Sequence, residues 1–227
     1  MFTGYSDQTV DFLWGIRFNN DRDWFLAHKE DYLRHVSEPT QALGREVYDR
    51  FTDKHPKLTA GLGLHVCRIY RDARRLHGRG PYKDHLWFTI RPENDIWSRQ
   101  PVFWFEIAPE GCSYGVGFWN ATAQTMAAMR RDIDENPQRL AKLARRLNKR
   151  GDFQLQGREY ARPRGTPSPL LTPWYNKKDI SIGLERPYDE TVCSPALADE
   201  LIEGYTFLIP YYQYFDSFCK NGLDDLK

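Results

Sequence analysis

Little in this sequence points to a membrane, a metal knuckle or a familiar catalytic loop. No stretch approaches the roughly 20 apolar residues of a spanning helix, so no membrane partner is expected. The opening M-F-T-G-Y-S-D has neither a basic n-region nor an apolar h-region, and no secretory leader is expected. Cysteine is scarce and scattered: Cys67, Cys112, Cys193 and Cys219 form no C-x-x-C pair. That argues against a zinc knuckle or a thioredoxin motif and predicts reduced thiols in a cytoplasmic protein. Charge of one sign is also missing. Thirty-two Lys and Arg stand against 31 Asp and Glu, a net charge of +1, which gives no global attraction to nucleic acid or to a membrane. There is no G-x-x-x-x-G-K-S/T loop, dinucleotide fingerprint or nucleophile elbow. No cofactor or metal is therefore expected. His65, His77 and His85 match no standard ligand spacing.

What is present is aromatic. Seven Trp, 13 Tyr and 13 Phe in 227 residues supply large buried surfaces, and the length suits one sizeable core. The patterning predicts a single α+β domain over 1–227, an antiparallel β-sheet flanked by helices. Residues 6–53 read as helical. Ser6 caps a first helix with Val10, Leu13, Trp14 and the stem of Arg17 on its apolar side, and Asn20 caps the next. Pro39 ends or restarts that one, and Leu43, Val47 and Phe51 mark a third. Residues 62–119 read as four strands: Leu62 to Tyr70, His85 to Arg91, Val102 to Ala108 and Cys112 to Trp119. Helices follow over 121–150, then a proline- and glycine-rich loop at 151–176. A last strand and helices occupy 177–220, with Ser194-Pro195 opening one helix and Pro210 preceding another.

Alternation fixes the faces of the sheet. Phe103, Phe105, Ile107, Tyr114, Val116 and Phe118 share one side if Glu106 pairs with Gly115, and a one-residue slip would mix the two faces. The opposite side then carries Trp87, Thr89, Arg91, Trp104 and Glu106 above Gly115 and Gly117. Those glycines leave room for another backbone, a large side chain or a ligand.

The most unusual stretch runs from His65 to Arg91. It sets Arg68, Arg71, Arg74, Arg75, Arg79, Lys83 and Arg91 against only Asp72 and Asp84. A strand, a basic loop closed by Gly80-Pro81-Tyr82-Lys83 and a return strand bring residues 71 and 83 together. Guanidinium forks suit phosphate or carboxylate. The candidate ligand-binding set is Arg68, Arg71, Arg74, Tyr82, Lys83, Trp104 and Glu106. The expected partner is a small phosphorylated or carboxylated molecule, with internal pairing to Asp72, Asp84 and Glu106 as the competing account. Cys67, two residues from His65, carries no mark of an activated nucleophile. An alternative function is a non-enzymatic module for nucleic acid or protein. It would draw on the acid-free face Arg139, Lys142, Arg145, Arg146, Lys149 and Arg150, although no nucleic-acid motif accompanies it. No reaction type follows from the residues.

Three blocks carry a resemblance. They are N-N-D-R-D-W-F at Asn19 to Phe25; R-I-Y-R-D-A-R at Arg68 to Arg74 with P-Y-K at Pro81 to Lys83; and G-V-G-F-W at Gly115 to Trp119, followed by Met129-Arg130. From about Phe12 to Ile133 the chain resembles domain of unknown function 2461, a family of bacterial and fungal conserved hypothetical proteins. Where that family's pattern has a Phe after the third arginine and Asp-Lys before P-Y-K, this chain has Arg75 and Gly78-Arg79, which makes its loop more basic. The resemblance implies an α+β fold and no particular activity.

Overall fold

The computed structural model describes residues 1–72, 74, 76 and 78–219. The fold is α+β, with a six-stranded antiparallel sheet and helices. Strands β1 (Leu62–Val66), β2 (Leu86–Pro92), β3 (Pro101–Ala108), β4 (Gly111–Phe118), β5 (Gln154–Gln156) and β6 (Ser181–Arg186) lie in the order β1-β2-β3-β4-β6-β5. The chain divides into two compact units. One comprises Met1–Ile90, Trp104–Tyr114 and Glu185–Gly204; the other comprises Arg91–Phe103, Gly115–Leu184 and the chain from Tyr205 on.

In the first unit, helix α1 (Asp7–Phe18) begins at Ser6, as its sequence predicts, with Thr9 Oγ1 accepting from the Ser6 amide at 3.1 Å. Helix α2 (Arg22–Ala27) is capped by Asp21, not Asn20. The Asp21 carboxylate accepts from the Trp24 amide at 2.9 Å, which frees Asn20 for another task. Helix α3 (Lys29–Tyr32) runs through a π turn at Leu33–Ser37 into α4 (Glu38–Lys54) and then α5 (Pro56–Thr59). Pro39 neither ends nor starts this run abruptly. It has no N–H to give the carbonyl four residues back, and that carbonyl, His35 O, accepts instead from the buried Thr9 hydroxyl at 2.7 Å. A tertiary hydrogen bond thus replaces the helical one that proline cannot make.

The strand faces separate as alternation predicts. Phe103, Phe105, Ile107, Tyr114 and Val116 are buried and Phe118 is half-buried, while Trp104 and Glu106 are half-exposed. The turn between β3 and β4 is confined to Pro109 and Glu110. In the second unit the room beside Gly115 and Gly117 is taken by β6. A Cβ on Gly115 would fall 2.1 Å from the Ile182 carbonyl oxygen, and one on Gly117 would fall 2.3 Å from the Ser181 Cβ.

Also in the second unit are α6 (Ala123–Glu135), α7 (Pro137–Arg150), α8 (Thr172–Tyr175) and most of α9 (Ala196–Asp216). The stretch read as a loop at 151–176 contains β5, which pairs antiparallel with β6, and α8. The Asn176 amide ties its turns together, accepting from Arg164 N at 2.6 Å and donating to Gly165 O at 2.9 Å. α9 continues through Pro210 rather than breaking there. An interior proline costs ~3 kcal/mol. Burial of Tyr205, Leu208, Tyr211 and Phe215 on both sides of it outweighs that cost. The basic side of α7 is largely solvated: Lys142, Arg145, Arg146 and Lys149 are exposed. Arg139 bonds Asp132 at 2.5 Å. None of the four cysteines forms a disulfide. Among the described residues no helix is long and apolar enough to cross a membrane.

Candidate functional site

The basic hairpin is held by a side chain from outside it. Beyond β1 the chain stays extended, with Cys67 N donating to Trp87 O at 2.9 Å. Tyr70 then bridges Tyr82, Lys83 N donates to Ile69 O at 2.8 Å, and Arg71 N donates to Pro81 O at 2.8 Å. Asn20 grips the returning arm at both backbone groups of one residue. Its Nδ2 donates to Tyr82 O at 3.0 Å and its Oδ1 accepts from Tyr82 N at 2.9 Å. Gly80 is required for this fit, since a Cβ there would lie 2.1 Å from Asn20 Oδ1. The Tyr82 ring is buried and stacks on Phe25 at 4.2 Å.

The cations of the hairpin go to different places. Arg71 Nε donates to Tyr82 O at 2.7 Å, and its Nη2 stands 3.7 Å from Asp84. Lys83 Nζ donates to Arg68 O at 2.5 Å and Tyr70 O at 3.1 Å, and lies 4.7 Å over the Trp87 ring. Burial lowers the Lys83 pKa, and the nearby charges of Arg71 and Arg68 add to the effect. Arg74 is exposed and chelates Asp72 through two nitrogens, at 3.0 and 2.8 Å. Arg75 and His77 lie outside the described residues.

Asp84 anchors an acid network that the sequence reading did not place. Its Oδ2 accepts from Arg17 Nε at 2.6 Å and its Oδ1 contacts His85 Nδ1 at 2.9 Å. Arg17, expected only as an apolar stem on α1, is in turn clamped by both oxygens of Glu110. Burial alone would raise the Asp84 pKa, but the hydrogen bonds from Arg17 and His85 outweigh it and lower the value. Glu106 behaves in the opposite sense. Its carboxyl is pushed up, mainly by burial and also by the charge of Asp84, with His85 partly offsetting. It makes no hydrogen bond or ion pair among the described residues, and it lines a cavity of about 380 Å³ with Glu110, Ser113 and Glu185. Cys67 is held inert. Burial pushes its thiol up to about 11, and its sulfur accepts from Trp87 N at 3.2 Å. Trp104 sits half-exposed on the same strand as Glu106. No group of three or more His, Cys, Asp or Glu among the described residues is placed to hold a metal ion.

Of the expected set, Arg68 lines a cavity that is basic. That cavity, of about 420 Å³, is bounded by Tyr32, Ser37, Gln41 and Arg45 on the helical side and by Leu64, Val66, Cys67 and Arg68 on the strand side. Its lining includes two arginines and no acidic residue. Neither Arg45 nor Arg68 forms an ion pair among the described residues. Gln41 Nε2 donates to Ser37 Oγ at 3.0 Å, and Arg45 Nε donates to Gln41 O at 3.3 Å. Ser37, Gln41 and Arg45 fall four apart, so a polar stripe on one helical face was the available signal, masked by the apolar pattern of Leu43, Val47 and Phe51.

Asn20 comes from one of the sequence blocks noted above and Tyr82 from another, so the clamp gives these separated blocks a common structural reason. Residues 8–214 match the model of a family described as Conserved hypothetical protein (DUF2461). The chain belongs to this family. No protein with curated annotation matches it. The fold of this DUF2461 member is the α+β fold that the resemblance implies.

Proposed function

We propose that this DUF2461 member binds a small phosphorylated or carboxylated molecule at the strand end of its basic hairpin, with Arg68 and Arg45 as the anion contacts. One observation carries the reading: the cavity beside β1 is lined by Arg45 and Arg68, neither of them in an ion pair among the described residues, and by no acidic residue. Two fixed positive charges facing one cavity repel each other unless an anion lies between them. Guanidinium groups present the planar donor fork that phosphate and carboxylate accept. Gln41, Ser37 and Tyr32 add neutral polar groups, and Leu64 and Val66 offer an apolar wall for the body of the ligand. Lys83 and Arg71 add positive potential from the hairpin. Four cysteines outside any disulfide support a reducing, cytoplasmic setting.

The test is thermal shift and calorimetric titration with inorganic phosphate, pyrophosphate and citrate. At least one should stabilise the protein. One charge-assisted hydrogen bond is worth roughly 1.5–3 kcal/mol, so Arg68→Ala and Arg45→Ala should each weaken binding about tenfold or more. Equal binding by the wild type and the double variant would refute the reading.

A further inference from the structure

We infer that the cavity between α1 and the helical run after α2 binds the ammonium group of a small primary amine, with Asp11, Asp31 and His28 as hydrogen-bond acceptors. This cavity lies in the first unit and shares no residue with the basic one. The two sites therefore stand or fall separately.

Helical spacing brings the residues together. Gln8, Asp11 and Phe12 fall at i, i+3 and i+4 on α1, and His28, Asp31 and His35 at i, i+3 and i+7 on the run through α3 and the π turn. Residues at such intervals share a helical face. Both faces line one cavity of about 340 Å³, joined by Trp24 of α2. The frame is tied together inside the unit. The Thr9 hydroxyl donates to His35 O at 2.7 Å, and the Phe12 ring packs on Trp24 and on Tyr32 with centroids 5.6 Å apart in each case. Trp24 is seated against α1 at Gly15, where a Cβ would fall 2.6 Å from Trp24 Cζ2 and 2.8 Å from Cη2. Glycine weakens a helix interior; here it makes room for the ring.

The lining selects the ligand. It holds two carboxylates and no lysine or arginine. Among the described residues neither the Asp11 nor the Asp31 carboxylate forms an ion pair or a hydrogen bond, so neither is spent on the fold. His28 adds a third acceptor. Its Nδ1 lies 2.8 Å from Trp24 O. A carbonyl only accepts, so Nδ1 carries the proton and the neutral ring keeps its lone pair on Nε2. The imidazole is also stacked on the Trp24 ring, with centroids 4.0 Å apart. Three acceptors match the three donors of a primary ammonium group. Among the described residues no three His, Cys, Asp or Glu are placed to hold a metal ion, so the cation that fits is an organic one. Half-buried Trp24 and buried Phe12 offer apolar surface to its carbon chain. The volume is at the small end of ligand sites, which run from roughly 300 to 1,000 Å³, and suits an amine of a few carbons.

The experiment titrates butylammonium chloride into the ¹⁵N-labelled full chain, with tetramethylammonium chloride and sodium butyrate as controls. Butylammonium should produce saturable NMR shifts at the Trp24 indole N–H and at the His28 and Asp31 amides, and butyrate should produce none. Asp11 and Asp31 are exposed, so Asp11→Asn and Asp31→Asn keep the fold. Exposed ion pairs are individually weak, so each variant should weaken binding about two- to fivefold and the double variant about tenfold. Added salt should weaken wild-type binding, because exposed charges are screened. The absence of saturable shifts at these residues overturns the inference, and so does equal affinity in the wild type and the double variant. Tetramethylammonium binding as tight as that of butylammonium also overturns it. That ion has no N–H to donate, and its binding would mark an aromatic cage instead.

Discussion

The clamp between Asn20 and the hairpin makes a quantitative prediction. Asn20 contributes two hydrogen bonds to Tyr82, at 3.0 and 2.9 Å. At a net value of about 0.5–1.5 kcal/mol for each bond, their loss in Asn20→Gly should cost about 1–3 kcal/mol. The extra unfolded-state freedom of glycine adds roughly 0.5–1 kcal/mol. Gly80→Ala should cost a similar amount for a different stated reason. Its Cβ would lie 2.1 Å from Asn20 Oδ1, 2.3 Å from Cγ and 2.6 Å from Cβ, so the amide must leave the clamp. The two costs are then the same cost counted twice. In the Asn20→Gly background those three atoms are gone, and Gly80→Ala should add less than about 0.5 kcal/mol. Urea unfolding of the wild type, both single variants and the double variant gives the coupling directly. If the two costs simply add, the glycine is not there for Asn20 and the reasoning fails.

Two further outcomes follow from the same structure. Thr9→Val keeps the shape of the side chain but leaves His35 O, whose helical donor is missing at Pro39, without the hydroxyl that now serves it; chemical denaturation should show a loss of about 1–3 kcal/mol. The two carboxylates of the network should move stability with pH in opposite directions. Asp84 has its pKa lowered in the fold, so its contribution is present above the unfolded value near 4 and is lost as pH falls through the folded value. Glu106 has its pKa raised, so its contribution is present below its unfolded value and is lost as pH rises through the folded one. Glu106→Gln should therefore be more stable than the wild type at neutral pH, with the difference vanishing in mild acid. Thermal melts across pH 3–8, compared in the same buffers, check both signs, and a less stable Glu106→Gln at neutral pH contradicts the unpaired burial of that carboxyl.

Local patterning by itself determined much of this protein. Strict alternation in β2 and β3 separated buried Phe88, Phe103 and Phe105 from half-exposed Trp87, Trp104 and Glu106, because a period of two leaves no other choice once one face is apolar. Ser6 marked the start of α1 for an equally local reason, the unpaired amides of a first turn. The excess of arginine between His65 and Arg91 marked the hairpin as unusual. Only the tertiary structure decided where those charges go, because an arginine reaches several ångströms and its partner is set by folding, not by spacing. Arg17, placed on an apolar face by its helical position, spans to Asp84 and Glu110, 67 and 93 residues away. Arg74 is spent on Asp72 and Lys83 on two carbonyls. Arg45, from a helix outside the basic stretch, lines one cavity with Arg68. The π turn and the unbroken course of α9 through Pro210 were hidden for the same reason. Each depends on a distant hydroxyl or on distant buried rings, whose free energy exceeds the local preference that proline expresses.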